Sequence, residues 1–218
     1  LIKQEYCAPK YLYFLVPGVN KKTREKSGKF KDIILVDTKE KFDELWSQSL
    51  EKNLLALKII MDPKKYGAVN SRFIPYPTMI PILAALTIEK EKVEYVDKKS
   101  IEEKIDAWYW SSIFTTNYSG SVDTQMSQDL REMRKWFVDD SSVPLVIKKF
   151  KKVLDTPDFL KKLSPGSAIY KGIFCLLAKK DARDFITWEL PEYSILDDHH
   201  IVPNSWGKRK SISSIDSI

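Results

Sequence analysis

The sequence is poor in histidine and in cysteine. It contains two residues of each type among its 218 positions, and the two cysteines, Cys7 and Cys175, lie far apart in the chain. Two cysteines cannot form a disulfide framework or supply the paired ligands of a zinc finger, so we expect a protein of a reducing cytoplasm. Cys175 lies in the apolar run "AIYKGIFCLLA", which favours a buried thiol.

Long apolar runs are also missing. Candidates such as "PTMIPILAALTI" are too short and too interrupted by proline to span a bilayer, and no signal-peptide pattern opens the sequence. We therefore expect no membrane partner. The sequence lacks an initiator methionine and stops at "SSIDSI", from which we expect a fragment of a longer protein.

Basic residues outnumber acidic residues. The chain has 36 Lys and Arg against 30 Asp and Glu, which gives a formal net charge of +6 and a pI near 9.0. Such an excess favours a polyanionic partner. Among nucleic acid, a membrane surface and an acidic protein, we expect nucleic acid.

Apolar periodicity predicts a mainly α protein with three segments. Residues 1–37 contain the runs "YLYFLVPG" and "DIILVD", which favour a short N-terminal β element. Residues 38–187 show helical spacing and are expected to form a helical scaffold with a DNA-binding or domain-coupling surface. Residues 188–218 lose that period and are expected to form a separate C-terminal module.

Within the helical segment, several helix boundaries follow from the pattern. Two helical runs are predicted between Thr38 and Asp62, and a buried helix is predicted from the prolines at 77 and 81 to Ile88. A capping box is predicted at Ser100, ahead of the apolar stripe Ile101, Ile105, Trp108, Tyr109 and Ile113. Further helices are predicted in residues 122–138 and in "SVPLVIKKFKKVL", "TPDFLKKL" and "PGSAIYKGIFCLLAKKDARDFIT".

Both histidines follow two acids, in the string Asp197-Asp198-His199-His200. Imidazole and carboxylate groups both coordinate divalent metal ions. Adjacent residues of an extended segment point to opposite faces, so one histidine would bind the metal while the other acts as a base. The alternative, an exposed polar turn, is equally compatible with the composition.

The longer string "DHHIVP" resembles the first half of the HNH motif of ββα-metal nucleases, including the HNH domain of RNA-guided CRISPR nucleases. A polar loop and the string "SID" follow it in the same order. The resemblance implies that His200 is the general base that activates water. It also implies that His199 is the metal ligand, and that Asp198 is an auxiliary acid at the same metal site.

Four strings in order extend this resemblance: "WYWSSIF" (108–114), "NYSGSVDTQMSQDL" (117–130), "AIYKGIFCLLAKKDARDF" (168–185) and "DDHHIVP". They are similar to the C-terminal nuclease region of GmrSD-type restriction proteins, over roughly residues 60–218. The resemblance implies a metal-dependent endonuclease of prokaryotic defence that acts on foreign, often base-modified DNA. The ParB-like nucleotide-hydrolysing domain of those proteins has no counterpart here and is expected as a partner, in cis or in trans.

The motif departs from a complete site at its end. The family pattern places an Asn, a further metal ligand, two residues after Ile218, so we expect weak metal binding and little cleavage from these residues alone. Mg²⁺ or Mn²⁺ is the expected cofactor, and a histidine ligand also admits Zn²⁺, Ni²⁺ or Co²⁺.

Other charged and aromatic residues are compatible with either a functional or a structural role. Lys208, Arg209 and Lys210 adjoin the histidine pair and are expected to hold DNA phosphates, although a solvated loop explains them too. Arg183 and Asp184 are expected to cap a helix or form an ion pair, in preference to catalysis. The aromatic residues of 108–114 are expected in the core, in preference to a base-stacking platform.

Two rival functions stay open from the sequence. One is a non-catalytic DNA-binding or interaction module with an incomplete nuclease motif. The other is a structural helical regulator in which the histidine pair is a surface turn and the net charge is evenly spread.

Overall fold

The computed structural model describes Leu12, residues 38–155, Ser164 and residues 166–192. These residues form helices and turns, without a β-strand, so the expectation of a mainly α protein is confirmed for this part of the chain. Within the described residues, the helices longer than a single turn are α1 (Lys39–Met61), α2 (Met79–Lys92), α3 (Lys98–Phe114), α4 (Val122–Val138), α5 (Leu145–Leu154) and α6 (Ala168–Lys179).

Helix α1 is one continuous helix where the sequence suggested two runs. It begins after Thr38, whose hydroxyl accepts a hydrogen bond from the Lys41 amide, and it ends at Asp62 just before Pro63. Its buried residues recur at three- or four-residue spacing along its length, from Leu45 to Ile60. The continuous stripe holds the helix on α2.

Helix α2 lies at the centre of the helical array. Every residue from Met79 to Leu86 is buried, because this helix packs on α1, α3 and α4. A helix that is apolar all round is stable only when it is covered on all sides. The predicted buried helix of this region is therefore confirmed.

Helix α3 begins earlier than the sequence predicted. The N-cap is Asp97, whose carboxylate accepts hydrogen bonds from the amides of Lys99 and Ser100, so the predicted capping box at Ser100 is wrong. Aspartate is as good an N-cap as serine, and here it captures two amides. The predicted stripe from Ile101 to Ile113 is confirmed as buried, and it faces α2, α4, α5 and α6.

The later helices agree with their predicted positions, with one early ending. Helices α4 and α5 lie where the sequence placed them, whereas α6 stops at Lys179 and does not continue to Thr187. The chain turns at Asp181, which has a positive φ of 54°. A left-handed residue ends an α-helix because the next amides can no longer continue its ladder.

The turn after α1 approaches α6 very closely. Gly67 has a φ of +76°, and a Cβ on it would lie 2.1 Å from the carbonyl oxygen of Cys175. A Cβ on Gly172 of α6 would lie 2.6 Å from the Cγ2 atom of Ile113 in α3. Both glycines are required by close packing, and they fix α6 against α3 and the 62–67 turn.

Several predictions fall on residues that the structure does not describe. Leu12 is helical and fully buried, so the β prediction for "YLYFLVPG" is wrong at this residue, and the rest of residues 1–37 lies outside the described residues. The predicted helix in 156–163 and the predicted ββα module from residue 193 onward lie outside them too. Within the described ranges, none of the helices combines the length and the low charge needed to cross a membrane.

Candidate functional site

The predicted catalytic and binding residues all follow the last described residue, Glu192. They lie outside the described residues and are Asp198, His199, His200, Lys208, Arg209 and Lys210. Among the residues that are described, no group of three His, Cys, Asp or Glu side chains could hold a metal ion. The structure instead shows the surface from which the chain continues to these residues.

A compact turn over residues 181–189 forms this surface. The Asp184 carboxylate accepts hydrogen bonds from the amides of Ile186 and Thr187, both at 2.8 Å, and the Asp184 amide donates to the Glu189 carbonyl at 3.0 Å. Arg183 donates from Nη1 to the Trp188 carbonyl at 2.9 Å. Both side chains therefore have a structural role in the turn, but they neither cap helix α6 nor pair with each other, so the expected cap or ion pair is wrong in its detail.

The same turn is bound to the body of the protein. The Lys64 ammonium lies 2.9 Å from both carboxylate oxygens of Asp181, and the Lys179 ammonium donates to the Lys65 carbonyl at 2.9 Å. Lys64 and Lys65 belong to the tight turn after α1. The end of α6 is thus joined to the turn after α1 by an exposed ion pair and a hydrogen bond.

A cleft of about 300 Å³ opens beside this tight turn, between the end of α1, α2 and α3. Lys65 lies 2.8 Å from one carboxylate oxygen of Asp106, and the buried Tyr66 hydroxyl donates to that same oxygen at 2.8 Å. Nearby, the Lys90 ammonium lies 2.7 Å from Glu102. Two ion pairs and a phenol therefore lie in a cleft whose lining mixes apolar and polar side chains.

The protonation states of the cleft follow from burial and pairing. Burial, reinforced by the negative charge of Asp106, raises the pKa of Tyr66, so its phenol stays neutral and donates. The hydrogen bond with Glu102 raises the pKa of Lys90, and the same bond lowers the pKa of Glu102. The charged side chains are mutually neutralised, which suits a polar ligand better than a metal ion.

Sequence reasoning missed this cleft. Lys65 and Asp106 are 41 positions apart, and neither belongs to a motif that points to the other. Only the packing of the 62–67 turn on α3 joins them. A polar residue at the centre of an apolar stripe, such as Asp106 between Ile105 and Ala107, was the available signal.

A second polar cluster surrounds the buried carboxylate of Asp129 in α4. Its Oδ2 atom accepts hydrogen bonds from Trp108 Nε1 at 2.8 Å, Tyr118 OH at 2.6 Å and Asn117 Nδ2 at 3.0 Å. Its Oδ1 atom accepts one from Gln125 Nε2 at 2.7 Å. Burial raises the pKa of Asp129, and the four donors hold it down in part.

This cluster accounts for four of the fourteen positions of the string "NYSGSVDTQMSQDL". Helix α3 ends with Thr116 in a left-handed conformation, with a φ of 51°, and with hydrogen bonds from Thr116 to Ile113 and from Asn117 to Ser112. That ending directs Asn117 and Tyr118 back to Asp129. Three positions of the string thus act together to join the end of α3 to α4.

Two of the four aromatic residues of α3 are buried in the core, as expected, and the other two, Trp110 and Phe114, are half-buried. Trp108 is fully buried, and Tyr109 stacks on Tyr66 with ring centroids 3.8 Å apart. Cys175 is buried as well, and burial raises the pKa of its thiol to about 12. Neither a base-stacking platform nor a reactive thiolate is present at these positions.

Comparison with known proteins finds a relative in Methanocaldococcus jannaschii, the "Uncharacterized protein MJ0686", which is 31% identical over 196 residues. The match covers 87% of this chain and 33% of that protein, so the chain spans about a third of the relative's length. No family model matches the chain, and no solved structure matches it. The relative's name assigns no function, so the functional argument depends on the residues themselves.

Proposed function

We propose that this chain is the HNH region of a metal-dependent DNA endonuclease of a prokaryotic restriction or phage-defence system, which acts in the cytoplasm. The observation that carries the proposal is the string Asp198-His199-His200-Ile201-Val202-Pro203, which holds both histidines of the sequence. A chance surface turn needs no such order of acid, paired imidazoles, apolar pair and proline.

The proposed chemistry is hydrolysis of a phosphodiester bond. His200, with an unperturbed pKa of about 6.5, takes the proton of the attacking water at neutral pH. His199 and Asp198 provide imidazole and carboxylate donors that suit Mn²⁺ or Mg²⁺, with Zn²⁺ or Ni²⁺ as further candidates. A divalent ion, when bound, offsets charge on the scissile phosphate. Lys208, Arg209 and Lys210 hold neighbouring phosphates.

The helical array supports this proposal as a scaffold. Five residues separate Glu192 from Asp198 in the sequence, and the turn that precedes them is fixed through Asp181 and Lys64. Catalytic groups act best when rigid elements hold them, because small displacements weaken proton transfer. We propose that the fixed turn leads into a ββα module, and that a ParB-like nucleotide-hydrolysing domain acts with it.

A plasmid-nicking assay tests the proposal. The full-length protein is incubated with supercoiled DNA and either Mg²⁺ or Mn²⁺, and His200→Ala is compared with the unmodified protein. Loss of the general base is expected to lower the nicking rate by about 10²- to 10⁴-fold. Equal rates in the two proteins would refute the role of His200.

His199→Ala is the matched control, because it removes an identical side chain at the adjacent position. Its nicking is expected to recover in part when the Mn²⁺ concentration is raised, whereas that of His200→Ala is not. Far-UV circular dichroism checks that both variants are folded. If the unmodified protein also fails to nick DNA, a non-catalytic DNA-binding module becomes the better interpretation.

A further inference from the structure

Helix α5 carries an unusual concentration of basic residues. Four of its ten residues are lysines, at positions 148, 149, 151 and 152, and none is acidic. All four lysines are exposed. At about 100° per residue they cover an arc of roughly 160° on one side of the helix. The solvent-facing side of α5, hereafter the α5 basic face, is defined by these four side chains.

The rest of the array has the opposite balance. Residues 38–155 contain 19 basic and 18 acidic side chains, and without the α5 lysines 15 basic side chains remain against the same 18 acids. The lysines of one short helix therefore change the net charge of residues 38–155 from negative to positive. An evenly spread charge, which a purely structural regulator would show, is not what this part of the chain has.

Neighbouring acids do not neutralise three of the four lysines of the α5 basic face. Some lysines elsewhere in the array pair with carboxylates, as Lys90 does with Glu102 and Lys104 does with Asp140. Within residues 38–155 and 166–192, Lys148, Lys149 and Lys151 have no such ion pair. Attraction to the helix C-terminus accounts for lysines in the last turn but not for Lys148 and Lys149.

The packing of the opposite side of α5 favours a soluble polyanion over a membrane. Val146 and Ile147 are buried in the core, and Phe150 stacks on Phe114 with ring centroids 5.9 Å apart. An amphipathic helix binds a bilayer by inserting its apolar side, and here the middle of that side is packed against α3 while only the leucines at the two ends of α5 are exposed. The exposed lysines can therefore contact a polyanion electrostatically.

We propose that the α5 basic face is a binding surface for the sugar-phosphate backbone of duplex DNA. Lysines three and four positions apart on a helix lie about 5–6 Å from one another, and one DNA strand presents a phosphate every 3.4 Å or so along the axis. The short helix can therefore contact several consecutive phosphates. Contacts of this kind position the duplex without reading its sequence.

This inference goes beyond the nuclease proposal and does not require cleavage. The α5 lysines lie outside the proposed catalytic string, so DNA binding by this face and hydrolysis by His200 are separable. The His200→Ala variant is expected to bind DNA as tightly as the unmodified chain. A failure of nicking with intact binding would therefore count against the catalytic proposal alone.

Fluorescence anisotropy with a labelled 30-base-pair duplex of arbitrary sequence tests the α5 basic face. The 218-residue chain is compared with the triple variant Lys148→Gln, Lys149→Gln, Lys151→Gln, at several NaCl concentrations. Binding by the variant is expected to weaken about tenfold or more at 50 mM salt. The slope of log affinity against log salt is expected to become shallower by about 2 to 3, since each phosphate contact contributes about 0.9.

A second triple variant controls for net charge. Lys39→Gln, Lys41→Gln, Lys58→Gln removes the same three charges from exposed positions of α1 and is expected to bind within about twofold of the unmodified chain. Circular dichroism verifies that both triple variants are folded. Arginine at positions 148, 149 and 151 is expected to preserve binding.

Three results would overturn the inference. The first is unchanged DNA affinity in the α5 variant, and the second is an equal loss in the α1 variant, which would indicate a general effect of net charge. The third is binding to phosphatidylserine vesicles without binding to the duplex, which would identify a membrane as the partner.

Discussion

At the scale of single residues, Asp129 has the most demanding environment in the array. A buried carboxylate is costly unless hydrogen bonds replace its hydration, and four side-chain donors do so here. All four partners are hydrogen-bond donors, so the side chain at this position must provide two acceptor oxygens. The residue joins the end of α3 to α4 by polar contacts inside an otherwise apolar core.

Asp129→Asn is expected to destabilise the protein. The substituted amide has one acceptor oxygen and one donor nitrogen, so at least one buried donor loses its partner. The expected loss in the free energy of unfolding is about 1–3 kcal/mol. Guanidinium denaturation at pH 7 measures it.

Asp43→Asn is the control for this substitution, because Asp43 is exposed on α1. It is expected to leave the free energy of unfolding unchanged. Equal stability of Asp129→Asn and the unmodified chain would show that the cluster tolerates a donor at this position.

At the scale of elements, the central helix α2 is tied to α4 by charge as well as by packing. Glu89 at the end of α2 lies 2.9 Å from Arg134 of α4 and 2.7 Å from Lys92. Burial acts to raise the pKa of Glu89, but the hydrogen bonds from Arg134 and Lys92 outweigh it, and the net pKa is lowered. A carboxyl with a lowered folded-state pKa stabilises the fold only while it is ionised.

Glu89→Gln is expected to reduce stability in a pH-dependent manner. At pH 7 the loss is expected to be about 1 kcal/mol, since Glu89 is largely buried and Arg134 is partly exposed. The stabilisation is present above the ordinary carboxyl pKa and disappears as the pH falls through the lowered one. Urea denaturation at pH 7 and at pH 3 is expected to show the difference shrinking.

Glu44→Gln on α1 is the comparison for Glu89→Gln. Its partner Lys41 lies one turn away on the same helix, and both side chains are exposed, so no measurable change is expected. A loss from Glu89→Gln that persists unchanged at pH 3 would show that shape, and not charge, matters at this position.

At the scale of the whole molecule, one apolar core runs through the helical array. Its buried members come from all six helices, from Ala56 in α1 to Cys175 in α6. Helix α2 alone contacts three other helices, and α3 contacts four. An array that shares a single core has no internal boundary at which one half can unfold without the other.

Unfolding of this array is therefore expected to be one cooperative transition. Guanidinium denaturation is followed by far-UV circular dichroism, which reports helix, and by near-UV circular dichroism, which reports aromatic packing in the core. The two midpoints are expected to coincide, and Asp129→Asn is expected to shift both equally. Separate midpoints would indicate two units within the array.

The site was less predictable than the fold. Local strings led to the proposed roles of His199 and His200, because the motif that carries them is continuous in sequence. The cleft at Lys65 and Asp106 and the cluster at Asp129 are assembled from separate segments, and no local pattern joins their members. The charge of the α5 basic face was visible in the sequence, but its exposure depends on packing.

The sequence by itself determined the positions of most helices, because helical periodicity and start signals are local properties of the chain. It therefore predicted α4 and the buried stripe of α3 correctly. The tertiary structure alone decided that α1 is continuous, that Asp97 caps α3, and which charges are neutralised. Those outcomes depend on competition among distant groups, since a cap, an ion pair or a buried carboxylate is stable only when its partner is brought within hydrogen-bonding distance.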